Sequence, residues 1–162
     1  MKKFGFLVLV ALILSGLMGK AQRHWKNVNL KNNGSSWCTM LADGDVWWDS
    51  GKGNVDYNRF SNIVVGDFDG NGYQDVSSLY SYSENLVAVF VWLSNGNKFT
   101  FVRWLNPVKD RVLYSRISNF RVGDFNNDGK SDVKFTYNYG TKFQDFILYS
   151  DGSKFGELVK AN

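Results

Sequence analysis

Residues 65–76 read Val-Gly-Asp-Phe-Asp-Gly-Asn-Gly-Tyr-Gln-Asp-Val, and the interpretation of the whole chain starts from this stretch. Oxygen-bearing side chains stand at alternate positions, Asp67, Asp69 and Asn71, and again at Asp75. The glycines between them allow a tight turn, because glycine reaches left-handed backbone conformations at little cost. Alternating oxygens on a tight turn suit a hard cation such as Ca²⁺, which takes about six to eight oxygen ligands.

The same pattern returns downstream, where residues 122–133 read Val-Gly-Asp-Phe-Asn-Asn-Asp-Gly-Lys-Ser-Asp-Val. When residues 46–80 are aligned without a gap to residues 103–137, which lie 57 positions later, 15 of the 35 pairs are identical. The identities extend beyond the acidic stretch and include Trp47 with Trp104 and Tyr57 with Tyr114. A fixed internal period of this kind predicts a solenoid or propeller architecture.

Each acidic loop is followed by sequence typical of β-strands. Residues 133–139 alternate between apolar and polar side chains, as a half-buried strand does. A second apolar run, 86–93 or 143–149, leads to Asn95-Gly96 or Asp151-Gly152. These dipeptides predict hairpins with type I′ turns, in which both central residues have positive φ. We therefore predict four strands per unit, with full units at 46–102 and 103–160 and a partial unit at 25–45, where residues 28–37 match the last hairpin.

Residues 1–21 have the pattern of a secretory signal peptide, with two lysines, an apolar run over 4–18 and small residues before a cleavage point at Ala21. The apolar run is shorter than the ~20 residues of a membrane-spanning helix. We expect a secreted protein (extracellular, at the cell surface or in the periplasm) whose mature chain, 22–162, has no membrane span. Cleavage removes three of the 19 Lys and Arg residues and none of the 15 Asp and Glu residues, leaving a net charge of about +1. This charge gives no support to a nucleic-acid partner.

The scarcity of Cys and His limits the chemistry of the chain. A single Cys excludes an intrachain disulfide, and one Cys with one His excludes a Cys/His zinc site of the usual ligand count. We therefore expect stability to come from packing, bound ions or assembly.

Residues 64–76 and 122–133 resemble the acidic motif of the FG-GAP/VCBS repeat family, and residues 47–57 are similar to the lead-in of bacterial VCBS-type repeats. The resemblance implies all-β, four-stranded antiparallel blades of the β-propeller type, of which this chain would hold about two and a half. Propellers close with ~4–8 blades, so this number is incomplete as a closed ring. A truncated chain, a homo-oligomer and an open array of blades all fit that count.

The resemblance also implies that both loops bind Ca²⁺. We assign ten candidate metal ligands, with carbonyl oxygens from Tyr73 and Lys130 and side chains from the others: Asp67, Asp69, Asn71, Tyr73 and Asp75 in the first loop, and Asp124, Asn126, Asp128, Lys130 and Asp132 in the second. The loops are not EF-hands, because position 12 of that motif is a Glu and here it is Ser78 or Phe135. The alternative is a solvated polar turn that binds no ion.

Three residues near the start of the first full unit, Trp48, Asp49 and Tyr57, are candidates for ligand binding. Exposed aromatic rings beside carboxylates could stack on sugars, whereas the alternative is that the aromatic residues pack between blades. Repetition of Trp47 and Tyr57 favours packing for those two residues. Trp48 aligns with Leu105 instead, so we expect Trp48 to be exposed.

The sequence favours a secreted, non-enzymatic, calcium-binding repeat module that mediates adhesion by binding an extracellular protein or glycan. One alternative is a carbohydrate-active enzyme, a hydrolase or lyase. A glycoside hydrolase needs a pair of carboxylates facing the substrate, and nearly every repeated carboxylate is assigned to an ion loop. The other alternative is a purely structural fragment that assembles with copies of itself.

Overall fold

The computed structural model describes residues 27–32, 38–51, 55–109 and 112–161. These residues form eleven β-strands and two short 3-10 helices, and the strands make three antiparallel sheets. The architecture confirms the predicted all-β fold, and its three sheets are consistent with incomplete propeller-like blades. The predicted signal peptide, 1–21, lies outside the described residues. Within the described ranges, no helix has the length and apolar character needed to cross a membrane.

The first sheet contains three strands, β1 (Val28–Asn32), β2 (Cys38–Ala42) and β3 (Asp45–Asp49), in the order β1-β2-β3. The turn between β2 and β3 has positive φ at both Asp43 (50°) and Gly44 (95°), as a type I′ turn requires. Because β3 carries Trp47, whose repeat partner Trp104 lies in the last strand of the second sheet, the first sheet corresponds to the last three strands of a unit. The predicted partial unit, 25–45, ends at the start of β3, so the first sheet extends beyond it.

The second and third sheets contain four strands each and wind as simple meanders. The second consists of β4 (Phe60–Gly66), β5 (Asp75–Ser83), β6 (Leu86–Ser94) and β7 (Phe99–Lys109), in that order. The third consists of β8 (Ile117–Gly123), β9 (Asp132–Asn138), β10 (Phe143–Leu148) and β11 (Val159–Lys160), also in sequence order. Each acidic loop joins the first two strands of its sheet, as the sequence predicts.

The sheets are out of phase with the predicted units 46–102 and 103–160. Val46 lies in β3, which pairs with β2, and Arg103 lies in β7, which pairs with β6. Each predicted unit therefore begins inside a strand that belongs to the preceding sheet. The sequence period is the same, but the hydrogen-bonded unit starts later, after the 3-10 helices Tyr57–Arg59 and Tyr114–Arg116.

The glycine turns after β6 and β10 differ from the predicted type I′ geometry. Gly96 (φ 92°) and Gly152 (φ 90°) have positive φ, but Asn95 and Asp151 do not. Each turn spans four residues, and the Oδ1 atom of its first residue accepts two backbone N–H groups, as when Asp151 binds Ser153 and Lys154. The side chain thus supplies the acceptor that closes the turn, so a left-handed residue at that position is not needed.

The same residue pairs pack the first sheet on the second and the second on the third. The ring centroids of Trp47 and Phe99 lie 5.2 Å apart, and those of the second interface, Trp104 and Phe155, are also 5.2 Å apart. A tyrosine hydroxyl accepts a backbone N–H at each interface, as Tyr137 does from residue 113 at 3.2 Å. The repeated residues therefore form the contacts between sheets, which explains why they recur in the sequence.

The outer face of the third sheet, which points away from the second, carries charged residues where the second sheet carries core residues. In the repeat alignment, Val64 of the second sheet, which packs against the core, corresponds to Arg121 of the third sheet. Val89 and Asp145 occupy equivalent places, because they pair with the aligned residues 79 and 136. Asp145 binds Arg121 at 2.8 Å and Lys134 at 3.3 Å, and its other oxygen accepts the Thr136 hydroxyl at 2.6 Å. This face suits contact with water better than contact with another sheet of the same kind.

Candidate metal centre in the first acidic loop

The first acidic loop brings three carboxylates together at the point where β4 turns into β5. Asp67, Asp69 and Asp75 each place one oxygen within 4.8 Å of the others. The Asp67 carboxylate also orders the turn, because it accepts the backbone N–H groups of residues 70, 71 and 72 at 2.8–3.1 Å. Gly70 and Gly72 have φ values of 75° and 86°, so this curl needs residues without a side chain.

Asp75 is the buried member of this group, with none of its surface exposed. Its carboxylate accepts the N–H of Phe68 at 2.9 Å and that of Ser94 at 2.7 Å. Burial raises the pKa of Asp75 from its ordinary value of 3.8 to about 7, and the nearby charges of Asp69 and Asp67 add to this rise. Burial also raises the pKa of Asp69. A bound divalent cation would supply the positive charge that these crowded carboxylates lack.

The donor set fits a hard cation. Carboxylate oxygens are the ligands that Ca²⁺ prefers, and three of them converge within the spacing that one ion can bridge. The other two predicted ligands, Asn71 and Tyr73, lie in the same turn. The Asn71 Oδ1 atom accepts the Tyr73 N–H at 2.7 Å, and its amide group donates to Asp69 and to the Ser94 carbonyl. Their role as metal ligands stays a prediction.

The second acidic loop repeats the turn with a different charge arrangement. Asp124 accepts the N–H groups of residues 128 and 129, and the buried Asp132 accepts those of Phe125 and Ser150, both at 2.9 Å. Asp128, however, forms an ion pair with Lys130 at 3.0 Å. Across the residues that the structure describes, the first loop is where three carboxylates come within 4.8 Å of one another. A second calcium site, with Asn126 among its ligands, stays a prediction.

The candidate sugar-binding residues lie mainly between sheets. Trp48 is half-buried, 4.7 Å from the ring of Phe101 and 5.5 Å from that of Trp92. Tyr57 is also half-buried and packs in the same cluster, whereas Asp49 is exposed and accepts the N–H of residue 51 at 2.8 Å. The expectation that Trp48 is exposed is wrong, because β3 turns this side chain onto the second sheet.

Two serines that the sequence interpretation missed hold the buried carboxylates in place. The backbone N–H of Ser94 donates to Asp75, and that of Ser150 donates to Asp132. Both serines precede the glycine turn of their hairpin, so the repeated Ser-Asn-Gly and Ser-Asp-Gly sequences were the available signal. Their contact with the acidic loops depends on the pairing of β5 with β6 and of β9 with β10, which the sequence pattern does not state.

Comparison with known proteins supports the family assignment. Residues 67–133, which run from the first acidic loop to the end of the second, match the sequence model of a family described as an FG-GAP-like repeat. The chain therefore carries an FG-GAP-like repeat, and the resemblance to that family is confirmed over these residues. A search of curated proteins found no match.

Proposed function

We propose that this protein is a secreted, non-enzymatic, calcium-binding repeat module that contacts an extracellular protein or glycan. The observation that carries the proposal is the convergence of Asp67, Asp69 and Asp75 within 4.8 Å inside an FG-GAP-like repeat. Calcium bound there would neutralise carboxylates that repel one another and would fix the turn between β4 and β5. The ion is thus a structural component of the second sheet.

Calcium titration of the mature chain, 22–162, tests this proposal. We expect calcium to raise the melting temperature and EDTA to lower it, with saturable binding by isothermal titration calorimetry. Asp69→Asn should weaken binding about tenfold or more, since one charged ligand is lost, and a tenfold change equals about 1.4 kcal/mol. The second loop holds asparagine at the equivalent position, Asn126, so the fold tolerates this side chain.

Asp49→Asn is the matched control, because Asp49 is an exposed aspartate in the first sheet outside the acidic loops. This variant should bind calcium as the wild type does. An unchanged melt with and without metal, together with a flat isotherm, would remove the calcium site from the proposal.

The outer face of the third sheet is the surface that best supports partner binding. Phe143 (70% exposed) lies on it with the exposed Val159 and Phe125, beside the charged side chains of Arg121 and Lys134. Exposed apolar side chains surrounded by charged side chains are typical of protein contact surfaces. Trp48 offers less, because its ring packs against Trp92 and Phe101 of the second sheet.

Arrays of extracellular glycans and matrix proteins test the binding role with two surface variants. Phe143→Ser should abolish capture of any bound component, whereas Val46→Ser, at a residue 61% exposed on the first sheet, should retain it. Equal capture by both variants would exclude the outer face of the third sheet. Absence of capture by the wild type would remove the binding role and leave a purely structural one.

A further inference from the structure

We infer that the first acidic loop is a latch between the second and third sheets, so that cation binding in this loop and docking of the third sheet stabilise each other. Ser150, which lies two residues after β10 of the third sheet, is the positioning residue that links the two events. The inference rests on the proposed calcium site, and the experiment below separates failure of the latch from failure of the site.

Backbone carbonyls of the first loop accept hydrogen bonds from two residues that flank strands of the third sheet, Ser131 just before β9 and Ser150 just after β10. The Asp67 carbonyl accepts the Ser131 N–H at 2.7 Å, and the Phe68 carbonyl accepts the Ser150 hydroxyl at 2.6 Å. The second bond is buried and joins residues 82 positions apart in the chain. Asp67 is also a predicted metal ligand, so its side chain would contact the ion while its backbone binds Ser131, which directly precedes β9.

Phe68 makes the same connection through its two backbone groups and its ring. Its N–H donates to the Asp75 carboxylate, and its carbonyl accepts from Ser150. Its side chain is fully buried, with the ring centroid 5.7 Å from that of Phe155 and 6.5 Å from that of Trp104. A change in the shape of the loop would therefore move groups that pack against the third sheet.

The two sheets approach closely beside this loop, which leaves little freedom for independent movement. A Cβ atom on Gly66 would lie 2.6 Å from the Ser131 hydroxyl, and one on Gly152 would lie 3.4 Å from the Asp69 carbonyl oxygen. Glycine is required at Gly66 by this close contact rather than by its backbone angles. The loop and the third sheet therefore fit as one packed unit.

The second acidic loop provides an internal comparison. Phe125, the repeat partner of Phe68, is 36% exposed and lies over its own sheet, 5.7 Å from the Lys134 ammonium and against Gly123. Its ring does not enter the interface between the second and third sheets, where the ring of Phe68 lies. The latch is thus a property of the first loop.

Coupling between two equilibria is reciprocal, so docking of the third sheet raises calcium affinity by the same factor by which calcium favours docking. A substitution that weakens docking therefore lowers calcium affinity by up to that factor. Ser150→Ala removes the hydroxyl that binds the Phe68 carbonyl and leaves the three carboxylates unchanged. We expect this variant to weaken calcium binding at the first loop by about fivefold or more, within the range typical of coupled sites.

The experiment uses the mature chain carrying Asp128→Asn, which removes a carboxylate from the second loop so that the first loop dominates the signal. Calcium affinity and calcium-dependent amide exchange are measured with and without Ser150→Ala. Calcium should slow exchange in β9 and β10 of the parent and have much less effect there in the Ser150→Ala protein. Thr136→Val is the control, because it removes the hydroxyl that binds Asp145 and Asn119 on the outer face and should leave calcium affinity unchanged.

The results separate the two claims. If the parent binds calcium and Ser150→Ala binds it equally well, or if calcium slows exchange only within residues 67–75, the latch is wrong while the site stands. If the wild-type chain shows no calcium binding, the site and the latch both fail. Weaker binding in Thr136→Val equal to that in Ser150→Ala would also overturn the latch, since general destabilisation would then explain both.

Discussion

Replacing Phe68 with alanine should destabilise the protein far more than the same change at Phe125, although the two residues occupy equivalent places in the repeat. Phe68 is fully buried between two sheets and contacts the rings of Trp104 and Phe155. Truncation of a buried Phe to Ala costs about 3–5 kcal/mol, because transfer and cavity terms add. Phe125 lies at the surface, where loss of the ring and of its contact with Lys134 costs about 1 kcal/mol.

Thermal unfolding in a metal chelator is the assay, because a chelator removes any bound calcium and so separates packing from ion binding. For a chain of this size, each kcal/mol changes the melting temperature by roughly 3 °C, so Phe68→Ala should melt about 10–15 °C below the wild type. Phe125→Ala should melt within about 3 °C of it. Equal losses of unfolding free energy in the two variants would refute the claim that the first loop is an element of the sheet interface.

Two further predictions concern charged residues. In the metal-free protein, the folded-state pKa of Asp75 is raised to about 7, so its contribution to stability is fully present below pH 3.8 and is lost as the pH rises through 7. This loss amounts to roughly 4 kcal/mol of unfolding free energy. In chelator-treated protein, Asp75→Asn should therefore make the unfolding free energy depend less steeply on pH. An equally steep dependence in the variant would contradict this prediction. At the outer face of the third sheet, Asp145→Val introduces the side chain that the second sheet carries at Val89 and frees Arg121 and Lys134 from their ion pairs. Light scattering should show more self-association than in the wild type, and an unchanged molar mass would argue against the charged face as a barrier to stacking.

The sequence predicted the elements that depend on local chemistry. The alternating oxygens and the glycines of residues 65–76 placed a tight turn between two strands, and the structure has that turn between β4 and β5. The repeat also predicted four-stranded sheets, because every unit carries the same order of apolar runs and turns. These features depend on side chains and backbone angles within a few residues of one another.

The features that the sequence did not predict depend on partners distant in the chain. A repeat period does not state which neighbour a strand joins, so the unit boundaries at 46 and 103 fell inside β3 and β7. Trp48 was expected at the surface because its repeat partner is Leu105, but its position in β3 sets its contacts. The hydrogen bond from Ser150 to the Phe68 carbonyl joins residues 82 positions apart, so no short sequence pattern predicts it.

Calorimetric titration of calcium into the metal-free chain of residues 22–162 tests the central claim most directly. The structure predicts saturable binding that Asp69→Asn weakens at least about tenfold and that Asp49→Asn leaves unchanged. A flat isotherm for the wild type, or binding that Asp69→Asn does not alter, would contradict a cation site formed by Asp67, Asp69 and Asp75.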